Sequence, residues 1–248
     1  MVGKEEIIKI ARKERLPLGT IEKDFILTYI LKKIYDSGLK DRLAFKGGTA
    51  LHKLYLHKRM SIDLDFTELK PFSIDELKTI IENKEISSEI KEINKTDNST
   101  KIVLSYFTIL EYRNNIIIDI SKREKPALEL VIRKLKSHYF KEISVLTFQL
   151  EELIAEKIRA IIQRNKPRDY LDIYYILGNK DINWSEVIDL AKKKLKISKD
   201  KLSIERIFNN LDMVKSLWEQ DLRELLPVMP DFDKVIRKLR NKFKNIEC

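Results

Sequence analysis

Cysteine, histidine, glycine and proline are all scarce in this sequence. The 248 residues include one cysteine, Cys248, three histidines, six glycines and six prolines. A single cysteine excludes an internal disulfide framework and a cysteine-rich zinc site, and it is typical of a reducing compartment. The histidines do not have the spacing of zinc ligands. The chemistry of the chain therefore rests on other side chains.

Long apolar runs are also absent. No stretch approaches the roughly 20 apolar residues that a membrane span needs, and the segment MVGKEEIIKIARKERL carries charges throughout. We therefore expect a soluble cytoplasmic protein with no membrane partner.

Positive charge is in excess. The chain has 49 lysines and arginines against 39 acids, a net charge of +10 and a pI near 9.4. Residues 1–120 sum to about +2 and residues 121–248 to about +8. A basic protein is suited to nucleic acid, a nucleotide or an acidic protein as its partner. The distribution favours docking of that partner on the second half.

A glycine pair and a two-carboxylate strand lie close together in residues 46–66, KGGTALHKLYLHKRMSIDLDF. Gly47 and Gly48 follow an apolar strand and allow the backbone to approach a phosphate, and a helix starting near Thr49 would point N–H groups at the same anion. In SIDLDF the period of two puts Asp63 and Asp65 on one face and the apolar residues on the other. Two neighbouring acids without a local base are typical of a divalent cation site.

The first part of the chain reads as mixed α and β structure. The patterns predict helices over 4–15, 20–36, 49–57 and 73–92, and strands over 42–46, SIDLDF, 101–109 and 115–121, the last two forming a hairpin. Ser73 and Glu76 form a capping-box pattern at the start of the fourth helix. Asp119 lies in the last strand. It is either at the active face of a sheet or an ordinary solvent-facing residue.

The second part reads as helical. From Glu124 the composition shifts to helix formers, and no convincing strand remains beyond about residue 149, so we predict domains 1–145 and 146–248. The predicted helices cover 149–165, 168–178, 185–195, 202–220 and 231–245. The basic run KKKLKISKDK, residues 192–201, is interpreted as a solvated loop or, alternatively, as a segment that follows an RNA backbone.

Three charged residues in the helical part call for explanation. Lys157 falls inside the apolar stripe of its helix, either with its stem buried and its ammonium at the edge or as a cation held in a cleft for a phosphate or carboxylate. Asp169 and Asp172 are one turn apart on the next helix. Asp169 is interpreted as a first-turn acid, and Asp172 as an acid with a buried cationic partner, for which Lys157, Arg164 and Arg168 are the candidates.

The motifs together resemble a known enzyme family. A glycine pair, a DxD strand about fifteen residues later and a further strand acid are similar to the nucleotidyltransferase superfamily pattern. The segments KGGTAL, KRMSIDLDF, EELIAEKIRA and PRDYLDIYYIL resemble the AbiEii family of abortive-infection toxins, which includes the MenT-type nucleotidyltransferase toxins. The resemblance runs from about residue 43 to residue 178.

The resemblance implies an α+β fold: a polymerase-beta-like nucleotidyltransferase core, a mixed sheet flanked by helices, followed by a helical C-terminal domain, with a nucleotide cleft between them. It also implies the site residues. The catalytic set is Asp63, Asp65, Lys157, Asp172 and Asp119; the nucleotide-binding set is Gly47, Gly48, Thr49, Arg59, Ser61 and Asp169; the metal ligands are Asp63, Asp65 and Asp119. Asp172 would either orient Lys157 or act as a base for the acceptor.

The implied activity is a Mg²⁺-dependent transfer of a nucleoside monophosphate from an NTP to an acceptor hydroxyl, with release of pyrophosphate. A toxin of a toxin-antitoxin system is expected, with tRNA as the favoured acceptor and a separately encoded antitoxin as a partner. Two alternatives stay open at this point. The same core could modify a protein hydroxyl, or the chain could be a catalytically silent module that binds RNA or a partner.

Overall fold

The computed structural model describes residues 2–244. The chain divides into two compact units, Met1–Phe148 and Gln149–Cys248. No helix within the described residues is both long and apolar enough to cross a membrane.

The first unit is built on a seven-stranded mixed sheet with the strand order β3-β4-β5-β2-β1-β7-β6. The strands are β1 Leu43–Lys46, β2 Asp63–Glu68, β3 Glu89–Lys95, β4 Ser99–Phe107, β5 Arg113–Ser121, β6 Val131–Leu135 and β7 Ile143–Thr147. Two neighbouring pairs are parallel, β2 with β5 and β1 with β7, and the other four are antiparallel. The mixed sheet, flanked by helices, confirms the predicted fold class.

Four helices accompany this sheet: α1 Lys4–Glu14, α2 Leu18–Tyr35, α3 Gly47–Leu51 and α4 Ile74–Ile81. A wider π-helical turn, His52–Leu56, continues α3, and a 3-10 turn, Lys84–Ile86, follows α4. Most residues of α2 are buried on all sides, as expected of a helix in the middle of a core. At the start of α4 the Ser73 hydroxyl accepts a hydrogen bond of 3.0 Å from the Glu76 N–H, as the capping pattern predicts.

Three strands were not predicted from the sequence. The predicted helix 73–92 ends at Ile81, and its second half contributes the 3-10 turn and the start of β3. β6 and β7 lie in the stretch where the composition favours helix. β3 and β6 are the two edge strands, and edge strands commonly carry charged residues that weaken the alternating apolar pattern. That is the physical reason why the sequence pattern missed both.

The described residues of the second unit, 149–244, form helices and the loops that connect them, without a strand. Its helices are α5 Leu150–Arg164, α6 Pro167–Ile176, α7 Trp184–Ile197, α8 Ile204–Phe208, α9 Leu211–Leu222 and α10 Phe232–Phe243. α5 packs on α6, α7 and α8, and α6 packs on α9 and α10. The Tyr170 hydroxyl donates to Asn165 Oδ1 at 2.8 Å, which holds the sharp turn between α5 and α6.

Candidate active site

Gly47 brings the backbone into direct contact with a strand carboxylate. It has a φ of +73°, and a Cβ placed on it would lie 2.6 Å from Asp65 Cγ. Only glycine tolerates both the left-handed conformation and this approach. The helix α3 begins at Gly47, two residues earlier than predicted, so the first-turn N–H groups of Gly47, Gly48 and Thr49 have no acceptor within the helix. The glycine turn and the carboxylate strand therefore form one local structure.

The carboxylates of β2 and β5 share one face of the sheet. Along β2, Asp63 and Asp65 are half-buried while Leu64 and Phe66 are fully buried, which is the predicted alternation. In the parallel pairing the Cα of Asp65 is in register with that of Asp119. Residues in register on neighbouring strands point to the same face at a strand spacing of about 4.8 Å. The structure thus brings Asp119 to the face that carries Asp63 and Asp65.

Two lysines lie in register with these carboxylates on the neighbouring strands, and neither was predicted from the sequence. Lys46 of β1 is in register with Asp65, and Lys101 of β4 is in register with Asp119. The row across four strands reads Lys46, Asp65, Asp119, Lys101. The Lys46 ammonium lies 5.7 Å from the centre of the Phe148 ring. Lys46 directly precedes the glycine pair, so its position in the sequence could have identified it. Lys101 can be identified only from the strand register.

The other predicted nucleotide-binding residues of this unit, Thr49, Arg59 and Ser61, are buried or half-buried. The Thr49 hydroxyl is buried and donates to the backbone carbonyl of Asp63, so it ties the glycine turn to β2. Arg59 is 7% exposed, and its Nη1 donates to the Met60 carbonyl at 2.8 Å. Ser61 is half-buried just before β2. The Thr49 hydroxyl is therefore already engaged within the chain.

The donor set on this face fits magnesium. Mg²⁺ prefers carboxylate oxygens, and it is usually bound through one or two carboxylates together with water and substrate phosphates. Asp63 and Asp65 on one strand, with Asp119 on the next, match that requirement. Within residues 2–244, no group of three or more His, Cys, Asp or Glu side chains is placed to hold a metal ion by itself. The residues thus fit an ion that the nucleotide helps to bind.

The second unit contains a buried charge network around Lys157. The Lys157 ammonium lies 2.9 Å from Asp169 Oδ1 and 2.8 Å from Asp172 Oδ2. Both aspartates are completely buried. The ammonium is thus held by two carboxylates of the chain itself and does not lie at the edge of the core. It also identifies Lys157 as a cationic partner of Asp172.

Arg164 closes the network from its exposed side. Its Nε donates to Asp169 Oδ2 at 2.8 Å and its Nη2 to Asp169 Oδ1 at 2.9 Å, a two-pronged contact. Burial by itself would raise the pKa of Asp169, but the positive charges of Lys157 and Arg164 hold that pKa below its usual value. Asp169 is therefore an ionised, fully buried acid, not a simple first-turn acid. The third candidate, Arg168, pairs with Asp221 at 3.8 Å.

A sequence profile described as "Nucleotidyl transferase AbiEii toxin, Type IV TA system" matches residues 29–238. The match covers most of the chain. The protein belongs to the AbiEii nucleotidyltransferase toxin family. It is accordingly a nucleotidyltransferase and a toxin of a type IV toxin-antitoxin system, which confirms the predicted family and enzyme class. AbiEii membership also implies an NTP substrate and a cognate antitoxin.

Solved structures share the fold of this AbiEii chain. MenT4, a nucleotidyltransferase toxin from Mycobacterium tuberculosis, superposes with a TM-score of 0.78 at 16% identity, over 100% of this chain and 91% of that one. JHP933 from Helicobacter pylori superposes with a TM-score of 0.62 at 21% identity, over 92% of each chain. No curated protein sequence matches.

Proposed function

We propose that this AbiEii protein transfers a nucleoside monophosphate from an NTP to a hydroxyl group of tRNA in a Mg²⁺-dependent reaction. One observation carries the proposal: Asp63, Asp65 and Asp119 share a sheet face directly beside the tight turn at Gly47. Carboxylates for a metal and backbone N–H groups without a helical acceptor for a phosphate are the two elements that nucleotidyl transfer needs.

At phosphorus the reaction forms one bond and breaks one. The acceptor hydroxyl gives its proton to water as its oxygen attacks the α-phosphorus, the bond from that phosphorus to the bridging oxygen breaks, and pyrophosphate leaves. When bound, Mg²⁺ would supply charge neutralisation at the phosphates and would activate the acceptor hydroxyl. Asp63 and Asp65 are the proposed metal ligands, with Asp119 as the third. The N–H groups of Gly47, Gly48 and Thr49 are proposed to bind the triphosphate, with Arg59 and Ser61 beside them.

Lys157 is proposed to act as a cation for the phosphates. Its two carboxylate contacts, to Asp169 and Asp172, fix the position of the ammonium. Asp172 is fully buried and lies 2.8 Å from that ammonium, a geometry that supports the orienting role over the role of base. Asp169, which also contacts Arg164, is proposed to act through Lys157 in the same way.

The choice of acceptor rests on charge. The net charge of +10 favours a polyanion, and most of the excess lies beyond residue 120. A tRNA is a polyanion that carries a terminal hydroxyl, and its presence beside NTPs in the cytoplasm fits the proposed site of action. Transfer to a protein hydroxyl by the same core is the competing possibility, and the experiment below separates the two.

The test is a labelling assay. Purified protein is incubated with tRNA, total protein extract and each of the four α-labelled NTPs, with MgCl2 or EDTA. We expect label in tRNA, with MgCl2 only. Asp63→Asn and Asp65→Asn should each lower the rate at least about a hundredfold. Glu68→Gln is the matched control, because Glu68 lies on the same strand but alternates to the opposite face. Label confined to protein would refute the tRNA acceptor, and unchanged transfer in both aspartate variants would refute the site.

A further inference from the structure

The last described helix, α10, has two distinct faces. Its apolar residues are buried against the rest of the second unit: Phe232, Val235, Ile236, Leu239 and Phe243. Its other face carries five cations and one acid: Lys234, Arg237, Lys238, Arg240, Lys242 and Asp233. The apolar face packs the helix against the unit. Three of the cations, Lys238, Arg240 and Lys242, also contact aromatic rings, whereas Lys234 and Arg237 are exposed.

Part of this basic face lines an open groove against α9. The groove has a volume of about 470 Å³. Its lining contains four cations, Lys215 from α9 and Arg237, Arg240 and Lys244 from α10 and its end, against two acids, Asp212 and Asp233. Asp233 in the lining is paired with Lys215 at 3.2 Å. Among residues 2–244, Arg237 and Lys244 have no ion pair with a carboxylate. The groove therefore presents positive charge that the described chain does not neutralise.

The spacing of these cations suits a phosphate chain. Arg237, Arg240 and Lys244 follow each other at intervals of three and four residues, which places neighbouring side chains roughly 5–6 Å apart on one stripe of a helix. That distance is comparable to the separation of successive phosphates along an RNA strand. The Arg240 guanidinium also lies 5.1 Å from the centre of the Phe208 ring, which holds it in place without neutralising its charge.

The other basic segment of this unit is less suited to RNA. The run 192–201 was interpreted as a loop, but α7 continues to Ile197, and Lys194 inside the run is buried and lies 2.8 Å from Glu152 Oε1. Its remaining lysines lie in the last two turns of α7 and beyond it. Of the two candidates, α10 offers the aligned charges.

We propose that the groove formed by Arg237, Arg240 and Lys244 of the α10 region, together with Lys215 of α9, binds the sugar–phosphate backbone of the RNA acceptor. This inference rests on the proposed transfer to RNA and adds the surface that holds the acceptor. Because the groove contacts phosphates and not bases, it contributes affinity and orientation but no sequence preference. In this proposal the NTP does not bind in the groove.

The experiment measures tRNA binding by the full chain between 50 and 200 mM KCl. The triple variant Arg237→Gln/Arg240→Gln/Lys244→Gln should raise the Kd about tenfold and lower the slope of log K against log salt by roughly 2–3, since each lost phosphate contact removes about 0.7–0.9. The matched control, Lys193→Gln/Lys196→Gln/Lys199→Gln, removes the same charge from exposed positions and should change the slope little. If the triple variant folds poorly, tRNA binding by the single variant Arg237→Glu is measured in its place.

In the transfer assay the α10 triple variant should raise the KM for tRNA and leave the KM for NTP unchanged. The inference is wrong if both triple variants weaken tRNA binding equally, or if neither does. The proposed function fails separately, when the wild-type protein labels no RNA at all. In that case the inference about the groove is judged from the tRNA-binding curves alone. A wild-type protein that does not bind tRNA would refute the proposed role of the α10 groove.

Discussion

The carboxylate of Asp65 lies against the Cα of Gly47, so close that a methyl group on Gly47 would lie 2.6 Å from Asp65 Cγ. The proposed metal ligand and the proposed phosphate turn are therefore mechanically coupled. A change at the turn moves the carboxylate, and a displaced carboxylate moves any ion that it holds. This coupling gives the most direct test of the site.

Gly47→Ala should abolish most activity and destabilise the protein. A left-handed non-glycine residue costs about 1–2 kcal/mol, and the close contact with Asp65 adds to that cost. Gly178→Ala is the control, because no atom lies within 4 Å of a Cβ there and the backbone is not left-handed. Thermal unfolding and the labelling assay measure both effects. A fully active Gly47→Ala protein would contradict the coupling.

The two lysines that flank the carboxylate row should differ in importance. Lys46 stands directly opposite Asp65 and follows the strand into the glycine turn, whereas Lys101 lies beyond Asp119 and is exposed. We expect Lys46→Met to raise the KM for NTP about tenfold, the effect of losing about 1.4 kcal/mol of binding. Lys101→Met should raise it less.

The matched control for these lysines is Lys95→Met. Lys95 is an exposed cation of the same sheet, but it pairs in register with Thr100 and therefore faces away from Lys101. Equal KM values in all three variants would show that the row of charges does not contact the nucleotide.

Because Asp169 is ionised in the folded protein, the stability of the protein depends on pH. Its pKa is lower in the folded protein than in the unfolded chain, because the charges of Lys157 and Arg164 outweigh the effect of burial. The unfolded chain therefore binds the proton more readily. This contribution to stability is complete above the unfolded pKa of about 4 and is lost as the pH falls through the folded value below it.

Arg164→Gln removes one of the two cations, so the folded pKa of Asp169 should rise and acid unfolding should begin at a higher pH. Circular dichroism as a function of pH measures the midpoint. Arg206→Gln is the control: it removes an arginine that contacts the carboxylate of Asp200, which is not fully buried. An Arg206→Gln midpoint that moves as far as that of Arg164→Gln would show that Asp169 is not the group responsible.

Lys194 and Glu152 form a second buried ion pair, which joins α7 to α5. Lys194→Met should destabilise the protein by about 3–5 kcal/mol, because it leaves Glu152 buried without this cation. The double variant Lys194→Met/Glu152→Leu should recover most of that loss, since an apolar pair of similar size needs no compensation. Denaturant unfolding of the four proteins of the cycle gives the coupling free energy. A double variant no more stable than Lys194→Met would contradict the expectation.

Local patterns made the central elements of the fold predictable. The alternation in SIDLDF gave the correct faces of β2, the Ser73 cap marked the start of α4, and the apolar stripe predicted α5. In each case the signal is contained within a few residues of the element itself. The family resemblance added the mixed sheet as a whole.

Long-range pairing made other features unpredictable. The alignment of Asp65 with Asp119 and of Asp119 with Lys101 depends on strand register, which no local pattern specifies. β3 and β6 are edge strands whose charged residues obscure the strand pattern. Lys194 was assigned to a solvated loop because its neighbours are basic, and only the packing of α7 on α5 reveals that it is buried.

The parallel pairing of β2 with β5 has a consequence for the synthesis of a toxin. Asp65 and Asp119 come from strands that α4, β3 and β4 separate along the chain. Parallel neighbours can pair only after the whole intervening segment has been made, and such non-local contacts form late in folding. A nascent chain on the ribosome therefore lacks the assembled carboxylate row until β5 has emerged. The order of the strands therefore makes assembly of the proposed metal site depend on completion of β5.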